Sequence, residues 1–225
     1  PYTTMAFDAE ATIVEELLKF SKSGALYRGS KPVMWSPVEK TALAEAEVEY
    51  HDHTSTQIDV AFEVVETQCD AIKGAKIVIW TTTPWTIPAN RAICYGNDID
   101  YIVVDLKGSK LVISNILKAD FMARDGVEEL ATIASFKGSD LEGTICAHPW
   151  RGRGYDFDVP LLAGDHVTTE AGTGFVHTAP GHGDDDYNVG HLQYGIPVPP
   201  TVDGSGCYYD SLPLVAGKHV DKVAP

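Results

Sequence analysis

Apolar residues recur at every second position through much of the middle of this chain, and that pattern limits the folds open to it. Ile58, Val60, Phe62 and Val64 alternate with Asp59, Ala61 and Glu63, the signature of a strand with one buried face. Val48 and Tyr50 alternate with Glu47 and Glu49 and are expected to form another strand. Ile77-Val-Ile-Trp80 is short and continuously apolar, as in a strand buried on both sides. Tyr101 to Leu106, then Lys107-Gly108, then Lys110 to Ser114 reads as a hairpin. Leu130 to Phe136 adds a strand, and Asp158–Leu162 and His166–Thr168 add short edge-like ones around Gly164. Helical patterns are few. Asp8 to Ser23 carries Ile13, Leu17, Leu18 and Phe20, with Asp8 as its cap and Gly24 as its end. Asn115 to Arg124 is expected to be a helix capped by Asn115. Regular alternation of strand and helix is absent, which disfavours a doubly wound fold. The expectation is an α+β fold, a closed or strongly curved β-barrel-like sheet flanked by a few helices. Residues 1–47 would be an N-terminal helix and connection, 48–195 the main domain, and 196–225 an extended, Pro- and Gly-rich segment.

Charge narrows the functions. The net charge is −15 over 225 residues, which argues against broad binding to a phosphate backbone but leaves room for a local pocket. No apolar run approaches the roughly 18–20 residues a membrane helix needs. The N-terminal residues lack a basic region followed by an apolar core, so no signal peptide is expected. A start at Pro1 suggests a fragment or a processed chain. Cys69, Cys94, Cys146 and Cys207 show neither zinc nor redox spacing, which favours a reduced, cytoplasmic setting.

Two stretches carry the chemistry. Gly174-Phe-Val-His-Thr-Ala-Pro-Gly-His-Gly-Asp-Asp-Asp-Tyr187 reads as a strand end, a Pro-Gly break and an acidic helix start, since carboxylates favour the positive end of a helix dipole. Tyr187, His191 and Tyr194 follow at helical spacing. Three adjacent aspartates repel, and capping accounts for one or two of them; at least one is expected to meet a cation, either a ligand ammonium or an arginine such as Arg91 or Arg151. The second stretch is Trp80-Thr-Thr-Thr-Pro-Trp-Thr-Ile-Pro-Ala-Asn90. Along a strand Thr81 and Thr83 face one way and Thr82 the other. Such hydroxyls can hold a phosphate, a ribose or an ester carbonyl, although a Thr-rich strand end also follows from β propensity alone. His177 and His182 with the aspartates could hold a metal, but a histidine beside a strand is more often a hydrogen-bonded core residue. No nucleophile elbow, Walker loop or dinucleotide fingerprint is present. The residues alone point to a polar pocket near Thr82, His177 and Asp186.

Trp80 to Ala92 and Gly172 to Tyr187 resemble the two signature stretches of the editing domain inserted into class I isoleucyl-tRNA synthetases. Lys31-Pro-Val-Met-Trp35, Ala42 to Tyr50 and Gly164-Asp-His-Val-Thr168 support the resemblance. Valyl- and leucyl-tRNA synthetases carry related insertions, but the Thr-Thr-Thr-Pro-Trp form and Ala-Glu-Ala-Glu-Val-Glu-Tyr point to the isoleucyl branch. The resemblance implies water attack on the aminoacyl ester of valyl-tRNA(Ile), with isoleucine excluded by pocket size. A second site of this kind is needed because one methylene in an apolar pocket is worth only about 1–3 kcal/mol, a general figure for which this amino-acid pair is the standard illustration. By the same resemblance Asp186 holds the α-ammonium, and His177 limits the pocket by bulk rather than acting as a base. Thr81, Thr82 and Thr83 would hold the ester and terminal ribose, and Trp85 would shape the adenosine end. Trp80, Ala179, Gly181, His182, Asp185 and Tyr187 complete the implied substrate-binding set. No metal or cofactor is implied for editing; ATP and magnesium belong to a catalytic domain whose His-Ile-Gly-His and Lys-Met-Ser-Lys-Ser sequences are not found here. Ser36-Pro-Val-Glu39 replaces a Cys-x-x-Cys pair of many relatives, so no zinc is expected there. The implied partners are the tRNA(Ile) 3′ end, valine and the rest of the parent synthetase, with no membrane. The alternatives are editing of threonyl-tRNA(Val), a non-catalytic tRNA-docking module, and a metal hydrolase using His177 and His182.

Overall fold

A computed structural model describes residues 3–223; residues 1, 2, 224 and 225, which belong to the expected N- and C-terminal segments, lie outside the described residues. The chain divides into two compact units, 1–31 and 32–225. The first is built on α1 (Phe7–Lys22). Ala6 occupies its cap position and no side chain closes the end, so Asp8 is not the cap. Asp8 and Glu10 lie inside the first turn and Lys19 and Lys22 in the last, complementing the dipole at both ends. Gly24, at φ +79°, takes the left-handed conformation that ends the helix.

The second unit opens with β1 (Trp35–Ser36) and β2 (Thr41–Ala42), an antiparallel pair. Residues 48–57 form no strand, and Tyr50 is exposed. Alternation there has no partner strand and no buried surface to face. The main sheet comprises β3 (Ile58–Glu66), β4 (Lys76–Thr81), β5 (Ala92–Tyr95), β6 (Asp100–Leu106), β7 (Ser109–Ser114), β8 (Ala131–Lys137), β9 (Ile145–Ala147), β10 (Asp158–Ala163) and β11 (Phe175–Thr178). Its nine strands run in the order β11-β5-β10-β9-β3-β4-β7-β6-β8. β10 with β5 and β4 with β7 are parallel pairs, and the others are antiparallel.

Strand β4 shows why its sequence is continuously apolar. Ile77 and Ile79 join Phe62, Tyr101, Val103 and Phe175 in the larger core, while Val78 points the other way into a second cluster with Ile102, Ile113 and Phe121. Phe121 comes from α2 (Lys118–Asp125), which covers that outer face. Burying such a side chain contributes roughly 1.5–3 kcal/mol. The helix begins three residues after Asn115, with Leu117 at the cap, because the Asn115 N–H still donates to Asp100 O at 2.8 Å and keeps that residue in the sheet.

The sheet curls. Thr173, just before β11, donates its hydroxyl to Val78 O of β4 at 2.6 Å, and its carbonyl accepts from the Ser114 N–H of β7 at 2.7 Å. β11 is nonetheless at the far end of the ladder, with four strands between it and β4. No pairing among the described residues joins β11 to β8; the sheet is large, mixed and strongly curved, the second of the two expected forms. β10 is interior rather than an edge. Pro160, which suggested an edge, sits where partnership passes from β9 (Asp158 to Pro160) to β5 (Leu161 to Ala163), and a missing donor is tolerated at that handover. Residues 166–168 form no strand; Asp165 and His166 make a turn closed by Val167 N to Gly164 O at 3.2 Å. After β11, α3 (Asp184–Asp186) runs directly into a π-helical stretch, Tyr187–Gln193. Residues 196–223 are largely irregular and pack within this unit: Trp35 Nε1 donates to Gly204 O at 3.0 Å, and the Tyr208 hydroxyl donates to Trp85 O at 2.5 Å.

Candidate functional site

A cavity of about 400 Å³ opens between the end of β4, β11 and the loop before β11. Of the twelve residues singled out by sequence, Trp80, Thr81, Thr83, His177, His182 and Asp186 line it. Thr82, just past the end of β4, is exposed and is not part of the lining. Trp85 is not part of the lining but lies edge-on to the lining residue His182, at 5.2 Å between centroids. Ala179 is buried; Gly181 and Asp185 are exposed; Tyr187 is half-buried against His191 at 4.9 Å. The lining also includes Thr86, His166, Thr168 and Glu170, which the motif reading passed over. Thr86 lies within the Trp80–Asn90 stretch and enters because Pro84–Ala89 forms a 3₁₀ helix, placing a hydroxyl one turn beyond Thr83. His166 lay in a stretch read as a short strand and quoted as support for the resemblance.

His177 is held from both sides. Its Nε2 is 2.8 Å from Thr86 Oγ1 and its Nδ1 is 2.8 Å from Asn90 Nδ2. The tautomer follows from the partners. Asn90 Nδ2 also reaches Ala92 O at 2.9 Å, and a carbonyl only accepts, so that atom is the amide nitrogen and donates to Nδ1 as well. The Nε2–H then donates to Thr86, whose hydroxyl passes its own proton to Thr83 O at 2.8 Å. Burial pushes the imidazole down to about 3, with His182 and His148 adding to the effect. A proton on Nδ1 would also oppose the Asn90 amide. His177 is therefore a fixed neutral wall with no free lone pair for base catalysis.

Asp186 differs. Gly183 enters α3 extended, and the Asp186 carboxylate reaches back to the end of β11, where Oδ2 accepts the Ala179 N–H at 3.1 Å. Burial raises its pKa to about 6, despite that hydrogen bond, with Asp185 raising it further. No arginine meets it among the described residues. Arg151 pairs with Asp158 at 2.5 Å, and Arg91 binds Pro88 O and Asn90 O and lies over the Phe157 ring. A half-buried carboxylate without a counter-charge faces a polar cavity.

The opposite wall is braced. Gly172, at φ +83°, packs so closely on Trp80 that an added Cβ would lie 3.3 Å from the indole. Arg124 bonds Gly172 O at 3.2 Å and both carboxylate oxygens of Asp59 at 3.1 and 2.9 Å. Thr81 Oγ1 accepts from Thr83 N at 3.0 Å and lies 3.2 Å from Thr83 Oγ1, fixing the hydroxyl ledge. No group of three or more His, Cys, Asp or Glu is placed to hold a metal among the described residues. No helix described is long and apolar enough to cross a membrane.

Residues 1–202 match the family described as tRNA synthetases class I (I, L, M and V). The isoleucine–tRNA ligase of Gluconobacter oxydans (strain 621H) is 52% identical over 235 residues, covering 99% of this chain and 24% of that protein. That of Pelagibacter ubique (strain HTCC1062) is 50% identical over 230 residues, covering 100% and 25%. The chain thus spans about a quarter of the length of these relatives. Among solved structures, the crystal structure of GlLeuRS-CP1 matches with a TM-score of 0.56 at 17% identity, covering 74% of this chain and 92% of that one, a likeness of fold.

Proposed function

The chain belongs to the class I tRNA synthetases of the I, L, M and V group, and on that premise we propose that it is the editing part of an isoleucyl-tRNA synthetase, hydrolysing the valyl ester of tRNA(Ile). The observation that carries the proposal is the pairing, in one cavity, of an uncompensated Asp186 carboxylate with a neutral, immobilised His177. The α-ammonium of an aminoacyl ester is the cation Asp186 lacks. Their charge-assisted bond would hold the ester in one orientation and keep Asp186 ionised at neutral pH. His177 cannot withdraw, because Thr86 and Asn90 hold both its nitrogens. It would therefore set a steric limit near the side chain, admitting valine and excluding the extra methylene of isoleucine. Thr81 and Thr83 present hydroxyls to the ester and terminal ribose, with Thr82 outside the cavity on the exposed side. A water attacks the carbonyl carbon, the ester C–O bond breaks, and the ribose oxygen leaves with the proton the water gives up. The proposal uses no cofactor, and the partners it implies are the acceptor end of tRNA(Ile), valine and the remainder of the synthetase.

The test is deacylation of valyl- and isoleucyl-tRNA(Ile) by the full chain, with Asp186→Ala alongside and EDTA as control. Valine release with isoleucine spared is expected, together with a fall in kcat/KM of roughly 10²-fold or more in Asp186→Ala, the scale of an unpaired buried charge. EDTA should change nothing. Undiminished hydrolysis by Asp186→Ala would sink the assignment; tRNA binding without any hydrolysis would favour a docking module.

A further inference from the structure

His182 lines the cavity together with Asp186 and His177 and takes no part in the reaction just described. The corner that carries Asp186 also sets the place of His182. Ala179 gives its N–H to Asp186 Oδ2 at 3.1 Å, and its carbonyl accepts the His182 N–H at 2.8 Å. Gly183, the next residue, lies so near the carboxylate that an added Cβ would stand 3.0 Å from Asp186 Oδ2. In an aminoacyl ester one α-carbon carries both the ammonium and the carbonyl. A donor on the corner that binds the ammonium is therefore within reach of the carbonyl oxygen.

The ring is fixed and its proton is placed. Nε2 is 2.7 Å from Thr201 Oγ1, and Trp85 packs against the ring edge-on. Thr201 is 3% exposed, and among the described residues its hydroxyl meets only this nitrogen. Were Nε2 to donate, the buried hydroxyl proton would be left without an acceptor, which is costly. The hydroxyl therefore donates to Nε2, and the neutral ring carries its own proton on Nδ1. That Nδ1 has no partner among the described residues, and it is not sealed from solvent; the sealed, unpaired ring nitrogens are both those of His166. Burial lowers the pKa of His182 below the ordinary histidine value, so the ring stays neutral at pH 7.

We infer that the His182 Nδ1–H donates to the carbonyl oxygen of the ester and stabilises the negative charge that forms there as water attacks. This rests on the deacylase reading above. The water oxygen bonds to the carbonyl carbon, and the carbonyl π pair moves onto the oxygen facing His182. The pair returns as the ester C–O bond breaks, and the ribose oxygen leaves with the proton the water gives up. His182 keeps its proton throughout. A donor held in place before the charge appears needs no reorganisation when it does, which is why such groups contribute much to acyl transfer. Asp186 cannot serve here, because a carboxylate beside the oxyanion would repel it.

Substitutions at His182 separate a donor from mere packing. His182→Phe keeps a ring against Trp85 and removes both nitrogens. His182→Asn puts an amide N–H near the Nδ1 position, and His182→Gln puts one near Nε2. Valyl-tRNA(Ile) deacylation by the full chain is measured with each, with kcat and KM resolved and normalised to the folded fraction from a thermal melt. A fall in kcat of roughly 10²-fold with KM little changed is expected for His182→Phe, because the bond strengthens only as charge develops. Partial recovery is expected in His182→Asn and not in His182→Gln. Nitrogen NMR of the wild-type ring should show a proton on Nδ1 and none on Nε2. Wild-type kcat in His182→Phe per folded molecule, a rise in KM alone, recovery in His182→Gln rather than His182→Asn, or a ring proton on Nε2 would each overturn the inference and leave the deacylase reading standing. If the wild-type chain itself releases no valine, the two fall together.

Discussion

Two buried histidines in this molecule have been put to opposite uses. His148 is 1% exposed and ringed by Phe62, Trp150, Tyr155 and Phe157, stacking on Tyr155 at 4.8 Å. Its Nδ1 accepts the Trp150 N–H and its Nε2 donates to Ile87 O, both at 3.1 Å. Burial pushes it down to about 4. His177 is 8% exposed, pushed down to about 3 and likewise paired at both nitrogens, but it faces a cavity. In the same cavity the Asp186 carboxylate is left with one backbone N–H and no counter-charge. The aromatic cluster satisfies every polar atom of its histidine and closes around it. The cavity leaves a carboxylate without the cation that a ligand ammonium would supply. Neutrality of a buried histidine therefore does not mark a site; the unpaired carboxylate beside it does.

The contrast can be broken most forcibly at His148. His148→Ala removes a packed ring and orphans Ile87 O and the Trp150 N–H, so a loss of roughly 3–5 kcal/mol is expected in urea unfolding. Deacylation per folded molecule should stay as in the wild type. A specific loss of activity would mean that the cluster and the cavity are one functional unit.

Acid unfolding sharpens the same contrast. The unfolded chain protonates its histidines near their ordinary value of 6.5, whereas His148 in the fold waits until about 4 and His177 until about 3. The unfolded state thus binds more protons in that window, and stability falls as pH drops from about 6.5 toward 4. Each histidine contributes a slope of up to about 1.4 kcal/mol per pH unit there. His148→Phe should flatten the dependence by one such contribution; an unchanged slope between pH 6.5 and 4 would show that His148 is not neutral in the fold.

Asp186 works with the opposite sign. Its folded value of about 6 lies above the ordinary 3.8, so its ionised form costs stability fully above pH 6 and not at all below pH 4. Asp186→Asn should gain on the order of 1–2 kcal/mol at pH 8, discounted for the water that still reaches the group. The gain should vanish by pH 4, and deacylation should be lost throughout. A variant less stable at pH 8 would show that the carboxylate is already compensated in the empty site.

The alternation of Ile58 to Val64, the unbroken Ile77–Trp80 run and the Lys107-Gly108 hairpin mark β3, β4, β6 and β7 where they occur, because each is a local statement about which face meets the core. The same reasoning fails at Val48–Tyr50, where no partner strand covers the pattern, and passes over β5 and β9, four and three residues long and too short to show a period. Within the site, the sequence placed Thr81 and Thr83 on one side and Thr82 on the other, and it drew His177 and Asp186 to one corner. It could not say that His177 is neutral, since the atoms that decide this, Thr86 Oγ1 and Asn90 Nδ2, lie 91 and 87 residues away along the chain. Nor could it bring His166, Thr168 and Glu170 to the cavity lining, because that lining exists only where their loop meets the end of β4. Local periodicity fixes which way a side chain points. Protonation, pairing and the cavity itself depend on distant segments meeting, and only the curl of the sheet brings them together.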